Sequence, residues 1–210
     1  MKDQDYVGDR IDQILDYGFQ LGGPIIKDRL WFWIGHGFQD VGRLTIKGYP
    51  DKIKIATYNA KINFRIHPKN RAELSVNYYR KGRDGFGVGP FSPPETSWDQ
   101  TTDSTFIKLE DTHTFSDNFL LTLKLATSFG LSEFIPKGGM DVQPGFDFYT
   151  GMSSGSFLYE RDRRPSHSAK LDGNYFVGNI LGGHHEFQFG VEYRLTPVES
   201  YRAFPLPGEG

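Results

Sequence analysis

Cysteine is absent from the 210 residues, which excludes disulfide scaffolds, thiolate metal sites and cysteine nucleophiles and leaves the redox compartment open. Neither sign of charge is in surplus: 24 basic against 26 acidic residues give a formal net charge of -2 and an isoelectric point near 6.3. A nucleic-acid binder would carry a basic face, so nucleic acid is not an expected partner. No apolar run reaches the roughly 18 residues of a transmembrane helix. A bilayer is not thereby excluded, because a barrel strand alternates lipid-facing and lumen-facing residues and averages to a polar hydropathy. The opening Met1 to Arg10 has no apolar stretch of the kind a secretory signal needs. A route to an outer membrane would therefore require residues upstream.

What is present is β composition. Aromatic residues make up 15% of the chain and glycine 25 positions, while methionine is scarce and helical Ala-Leu-Glu-Lys runs are missing. One pattern occurs four times: an alternating run, a short polar turn, and a second alternating run, usually followed by a long Gly/Pro/aromatic loop. In the first copy Ile11, Leu15, Tyr17, Phe19 and Leu21 share a parity, Gly22-Gly23-Pro24 interrupts, Lys27-Asp28-Arg29 turns, and Leu30 to Val41 returns. In the second, Ala56, Tyr58, Ala60, Ile62, Phe64 and Ile66 alternate with polar neighbours, His67 to Asn70 turns, and Ala72, Leu74, Val76 and Tyr78 return. The third runs from about Ser104 to Phe115, turns at Ser116-Asp117-Asn118, and returns through Leu121 to Leu131. The fourth pairs Ala169, Leu171 and Tyr175 with His185, Phe187, Phe189, Val191 and Tyr193 across a turn at Gly178 to Gly183.

The connections also alternate: short at about 27–29, 67–70, 116–118 and 178–183, long at 42–54, 83–103 and 134–165. Short and long loops therefore belong to opposite ends of the sheet, as the short periplasmic turns and long external loops of an outer-membrane barrel do. At about 3.3 Å per residue and a tilt near 45°, an 11-residue strand rises roughly 25 Å, the height of a barrel's apolar band. Aromatics gather where strands end, at Trp31, Phe32 and Trp33, at Phe115 and Phe119, and at Tyr78 and Tyr79. Paired interfacial girdles account for this better than β propensity alone. The expected fold is an all-β, antiparallel transmembrane β-barrel, with about eight strands in four hairpins belonging to a larger barrel.

The stretch Gly22-Gly23-Pro24-Ile25-Ile26-Lys27-Asp28-Arg29-Leu30-Trp31-Phe32-Trp33 resembles the early barrel of TonB-dependent outer-membrane receptors. The similar branch is the one with an N-terminal carboxypeptidase-regulatory-like domain. Tyr58 to Tyr79 looks like the hairpin that follows there. The resemblance is specific over residues 17–41, supportive to about 80, and architectural beyond. It implies that residues 1–210 form part of a receptor barrel, with the plug domain, TonB box and signal peptide absent and both ends cut, the last at Pro207-Gly208-Glu209-Gly210. The implied function is part of a TonB-dependent receptor or transporter for energy-coupled uptake of a scarce metal chelate, glycan or peptide. Implied partners are outer-membrane lipid, the plug domain, the remaining barrel strands, and the TonB complex acting through the plug. The implied location is the cell outer membrane of the Gram-negative type. No residue identifies the substrate.

Catalysis is not expected. Gly151-Met152-Ser153-Ser154-Gly155 matches a nucleophile elbow, but loop surrounds it where that motif needs strand and helix. Gly85 to Pro90 has neither phosphate-loop spacing. The histidines His36, His67, His113, His167, His184 and His185 are spread over different hairpins, and adjacent strand residues point to opposite faces, so neither metal nor cofactor is expected. The carboxylates of Glu110-Asp111 and of Glu160 with Asp162 have no apolar pocket visible from sequence. Substrate contact, if the loops make it, would fall to Phe86, Phe91, Trp98, Phe146, Phe148 and Tyr149, since loop tips are where binding concentrates. Lys61, Arg65, Glu73, Asn77, Glu192 and Arg194 belong to the lumen wall, where ordinary cross-strand pairing is the plainer role. Two other readings compete: a self-contained eight-stranded outer-membrane anchor or adhesion barrel, and a soluble all-β carbohydrate-binding module.

Overall fold

The computed structural model describes residues 8–180 and 182–206. The chain ends, on which the expected missing signal and missing closing strand bear, lie outside the described residues, as does Leu181 in the last turn. The strands are β1 (Arg10–Ile26), β2 (Leu30–Leu44), β3 (Pro50–His67), β4 (Asn70–Phe86), β5 (Trp98–Ser116), β6 (Phe119–Pro136), β7 (Gly145–Phe146), β8 (Ser153–Ser154), β9 (Tyr159–Arg163), β10 (Ser166–Ile180), β11 (Gly183–Leu195) and β12 (Glu199–Ala203). A 3-10 turn at Pro94–Thr96 accompanies them, and no described helix is long and apolar enough to cross a membrane.

The fold is all-β, one antiparallel sheet ordered β1-β2-β3-β4-β5-β6-β10-β11, with β9 on β6 and β12 on β9; β7 and β8 form a small separate hairpin. β9 and β10 meet β6 in one continuous register, Leu131 facing Arg163 and Ser128 facing Ser166. β11 and β12 likewise share a register against them, Leu195 facing His167 and Glu199 facing Arg163. They are therefore two long strands, each interrupted once, where Pro165 stands opposite Pro197 and neither can donate a ladder hydrogen bond. The result is eight long staves in four up-and-down hairpins. The sheet is open: β1 forms one edge, β11 and β12 the other, and these edges are not paired among the described residues.

The turns fall where the alternation stops. Asp28 takes a left-handed φ of 61° between β1 and β2, a conformation Asp tolerates through its short polar side chain. Gly22-Gly23-Pro24, expected to interrupt the first strand, instead stays within β1, and the irregularity is absorbed as a register shift between Pro24 and Ile26. The long loops are shorter than expected, 45–49, 87–97 and 137–158, because the strands run on past the regular apolar-polar alternation. There Lys52, Lys54, Arg80, Asp99, Thr101 and Glu133 continue the ladders, so backbone pairing persists after hydrophobic alternation has ended.

Register sorts the side chains onto two faces. One face carries Leu21, Phe19 and Leu15 beside Ile34 and Phe38, then Ile62 with Leu74, Leu109 with Leu125, and Leu171 with Val191. This apolar belt has a definite height. On β6 it runs from Leu121 to Leu131, roughly 33 Å along the strand at about 3.3 Å per residue. A row of charge begins at its top rung, level with Leu131, with Asp40 and Lys54 at 3.8 Å, Arg80 and Asp103 at 3.7 Å, and Arg163 and Glu199 at 3.9 Å.

Aromatic rings mark both borders of the belt. Tyr17 meets Phe38 at 5.1 Å, His36 stacks on Tyr58 at 4.5 Å and Tyr58 meets Tyr78 at 6.0 Å near the charged row. At the short-turn end Phe119 gathers Phe115 at 5.5 Å, Tyr175 at 6.2 Å and Phe189 at 6.4 Å. Trp31, Trp33 and Tyr79, expected in the girdles, fall on the other face, because period-two alternation divides adjacent aromatics. Trp33 lies across Gly35, where a β-carbon would sit 3.0 Å from its ring.

Little of this chain is buried. Its accessible area is 14459 Å², about half again the roughly 9,900 Å² expected of a folded monomer of its mass. Among the described residues Ala72, Val88 and Pro205 are buried, whereas Phe19, Leu21, Phe129, Val191 and Tyr193 are all exposed. A single-layer sheet has nowhere else to put them.

Candidate functional site

The long-loop end is where polar chemistry becomes buried. Asp51, 1% exposed, accepts hydrogen bonds from Arg83 Nε and Nη2 at 2.8 and 2.7 Å and from Arg43 Nη2 at 2.6 Å. Burial alone would push its carboxyl up. The hydrogen bonds and charge of Arg83, and then of Arg43, outweigh that and hold it below the ordinary value. Arg83 in turn lies 4.7 Å over the Phe86 ring, which packs against Phe134 at 5.3 Å and Trp98 at 6.3 Å. Trp98 Nε1 donates to the Leu158 carbonyl at 2.6 Å and Ser156 Oγ to the Ser97 carbonyl at 2.7 Å, tying the two longest loops together. Lys137 pairs with Asp84 and, at 3.5 Å, with Asp99. Its ammonium sits above its ordinary pKa because these carboxylates offset the burial that would lower it.

Between these loops lies a cleft of about 380 Å³. Trp98, Phe146 and Phe157 give it aromatic faces, Thr96, Ser153 and Ser154 give it hydroxyls, and among the described residues no ionisable side chain lines it. Such a lining suits an uncharged ligand carrying both apolar and hydrogen-bonding surface. Phe148 and Tyr149 project from the β7–β8 hairpin, 93% and 98% exposed. The turn below them is held by Asp147, which accepts from Thr150 Oγ1 at 2.7 Å and the Tyr149 amide at 2.8 Å. The Thr150 hydroxyl and the Tyr149 and Thr150 amides hold the Asp147 carboxyl below its ordinary value.

Of the six loop aromatics expected to meet substrate, the structure brings Trp98 and Phe146 to this cleft. Phe86 is packed into the base beneath it, and Phe91, Phe148 and Tyr149 stand outside its lining. Phe157 and the hydroxyls were not legible in the sequence. The glycines of Gly151 to Gly155 were a signal for them: both ends take positive φ, 71° and 66°, and bend the hairpin that closes the cleft. Ser153 and Ser154 lie in two-residue β8 opposite Gly145 and Phe146, and no helix follows them among the described residues.

The other face of the sheet is polar and carries a row of alternating charge. Glu73 bridges Lys61 at 2.9 Å and Lys108 at 3.2 Å, and Lys108 reaches Glu110 at 3.2 Å. Farther along, Asp172 lies between Lys124 at 3.5 Å and Lys170 at 2.9 Å, and Glu192 pairs with Arg194 at 2.7 Å. Lys61, Glu73, Glu192 and Arg194 thus share one polar wall. Asn77 lies on it between Asn59 and Phe106, while Arg65 is exposed at the turn end.

His36, His113, His167 and His185 fall on the apolar face. The His36 Nδ1 lies 3.0 Å from the Thr57 carbonyl and the His167 Nδ1 2.7 Å from Thr127 Oγ1, local bonds that satisfy a ring nitrogen amid apolar neighbours. No group of three or more potential metal ligands occurs among the described residues. No family model matches the chain, and no curated protein matches it.

Proposed function

We propose that the chain is a run of eight neighbouring staves in a transmembrane β-barrel wall, and that the barrel is an outer-membrane receptor of the TonB-dependent kind importing a scarce substrate. The bounded apolar belt carries this reading: one face of a single-layer sheet is apolar over a bilayer's height, bordered by aromatics and then by charge. Lipid would cover that face. The polar face with its charged row would look into a wet lumen and toward a plug domain. Further strands would pair with β1 and with β11 and β12, since exposed edges are untenable in hydrocarbon. The loop cleft would face outward and meet the substrate, and the TonB complex would act through the plug.

The receptor half of the proposal rests on the Gly22 to Trp33 resemblance. Its test is genomic: a plug domain encoded upstream and roughly fourteen further strands downstream, the complement of a 22-stranded transporter. A self-contained eight-stranded barrel would need β1 to pair with β11, and a soluble carbohydrate-binding module would need a second sheet over the apolar belt. Neither feature is formed among the described residues.

The membrane half has a direct test, because a chain without cysteine accepts single-cysteine spin labels anywhere. With the full chain in lipid vesicles, labels at 121, 123, 125, 127, 129 and 131 should be accessible to oxygen and shielded from a water-soluble nickel chelate. Labels at 122, 124, 126, 128 and 130 should show the reverse. Odd positions shielded from both reagents would mean a dry protein interface and sink the membrane reading.

A further inference from the structure

The apolar face holds a groove that a plain lipid-facing wall does not require. Its upper part, about 590 Å³, opens where Pro165 faces Pro197; Phe129, Leu131 and Val198 line it, with Asp103, Arg163 and Glu199 at the rim. A second depression of about 360 Å³ continues below, walled by Ile107, Leu109, Leu125, Ala169, Tyr193 and Leu195. Thr105 and Phe129 of the upper part lie two residues along the same staves, on the same face, from Ile107 and Thr127 of the lower. Together they run from within the apolar belt to its charged border.

We propose that this groove binds one phospholipid whose headgroup bears a primary ammonium, an inference that rests on the belt being lipid-facing. The lower walls suit an acyl chain. The rim carries both signs of charge, which suits a zwitterion: Arg163 for the phosphate and its cross-strand neighbour Glu199 for the ammonium. Arg163 and Glu199 are 50% and 72% exposed and 3.9 Å apart, so neither is committed to the other. Asp103 uses Oδ1 for both Tyr78, at 2.9 Å, and Arg80, at 3.7 Å.

The proline pair adds acceptors. The Arg164 amide donates to the Gly130 carbonyl at 3.0 Å, so Arg164 turns its polar groups toward β6. By strand alternation Pro165 turns its own toward Pro197. Neither proline has an N–H, so each carbonyl lacks a cross-strand donor at the mouth of the groove. A primary ammonium can donate to such a carbonyl and to the Glu199 carboxylate together, whereas a quaternary ammonium cannot donate and an anionic head would meet the like charge of Glu199.

The test uses the full chain in phosphatidylcholine vesicles with trace spin-labelled lipids bearing ethanolamine, choline or glycerol phosphate heads. The ethanolamine lipid should associate with the chain about fivefold more strongly than the choline lipid, the scale expected of one charge-assisted contact at a membrane surface. E199Q should bring the two near parity, and A169F should do the same by filling the lower groove. Equal association of all three lipids, preference for the glycerol phosphate head, or an ethanolamine preference that survives both variants would overturn the assignment. The labelling scan along β6 separates the two proposals. If the scan fails, the membrane reading falls. If it holds while the headgroups tie, only the groove assignment falls.

Discussion

Asp51 gives up nearly all its water on folding and is stabilised as an anion only because two guanidinium groups meet it. Its partners are 8 and 32 residues away in the chain, so no local pattern singled it out, and the most buried ionic cluster of the loop end was not legible in the sequence. Taking away its charge leaves Arg43 and Arg83 facing each other. Arg83 is mostly buried while Arg43 is 42% exposed and screened by water, so the loss should fall below that of a fully buried pair. D51N is expected to cost about 2 to 3 kcal/mol, read as a lower urea midpoint in detergent micelles at neutral pH. The pH dependence follows from the lowered carboxyl pKa. A group depressed on folding contributes its stability above the unfolded value, about 3.9, and loses it as pH falls through the folded value. The native chain should therefore weaken below about pH 4 more steeply than D51N. Parallel acid limbs for the two proteins would show that the two arginines do not hold Asp51 charged.

At the scale of strands, the four hairpins and their short turns were legible because burial on one face imposes a period of two, and the period breaks at the turn. The upper ends were not, since ladder hydrogen bonds hold Lys52 against Asp84 and Asp99 against Ile135 without a hydrophobic pattern to announce them. The same cause hid the continuity of β9 with β10 and of β11 with β12. Two prolines interrupt ladders whose registers otherwise run straight through. P197V restores one N–H opposite the Pro165 carbonyl. The new bond should add about 0.5 to 1 kcal/mol, partly offset by the freer unfolded chain that losing a proline creates. Hydrogen exchange should then show a protected amide at position 197 and slower exchange in β12. An amide at 197 that exchanges as fast as those of the loops would mean that something other than the missing donor separates the two strands.

For the whole molecule the deciding quantity is area. Burying apolar surface stabilises a fold by about 25 cal/mol per Å², and an excess near 4,500 Å² over the compact expectation leaves that stabilisation largely unrealised in water. Within the sheet, contacts link each stave only to its neighbours, and the loop-end cluster around Asp51, Phe86 and Trp98 ties just one end. Such a sheet has two ways to cover the belt: lipid, or another copy of itself. In buffer without detergent the full chain should sediment as aggregates, through the belt and through the unpaired edges β1 and β11. In micelles or vesicles the belt is satisfied, and the chain should stay in solution with a β-sheet circular dichroism spectrum. The edges remain unpaired there, so light scattering in micelles should still report oligomers, which a barrel completed by further strands would not form. A monodisperse, monomeric chain in plain buffer is the contrary result. It would require the belt from Leu15 to Val191 to close on itself in water, which an open single-layer sheet cannot do.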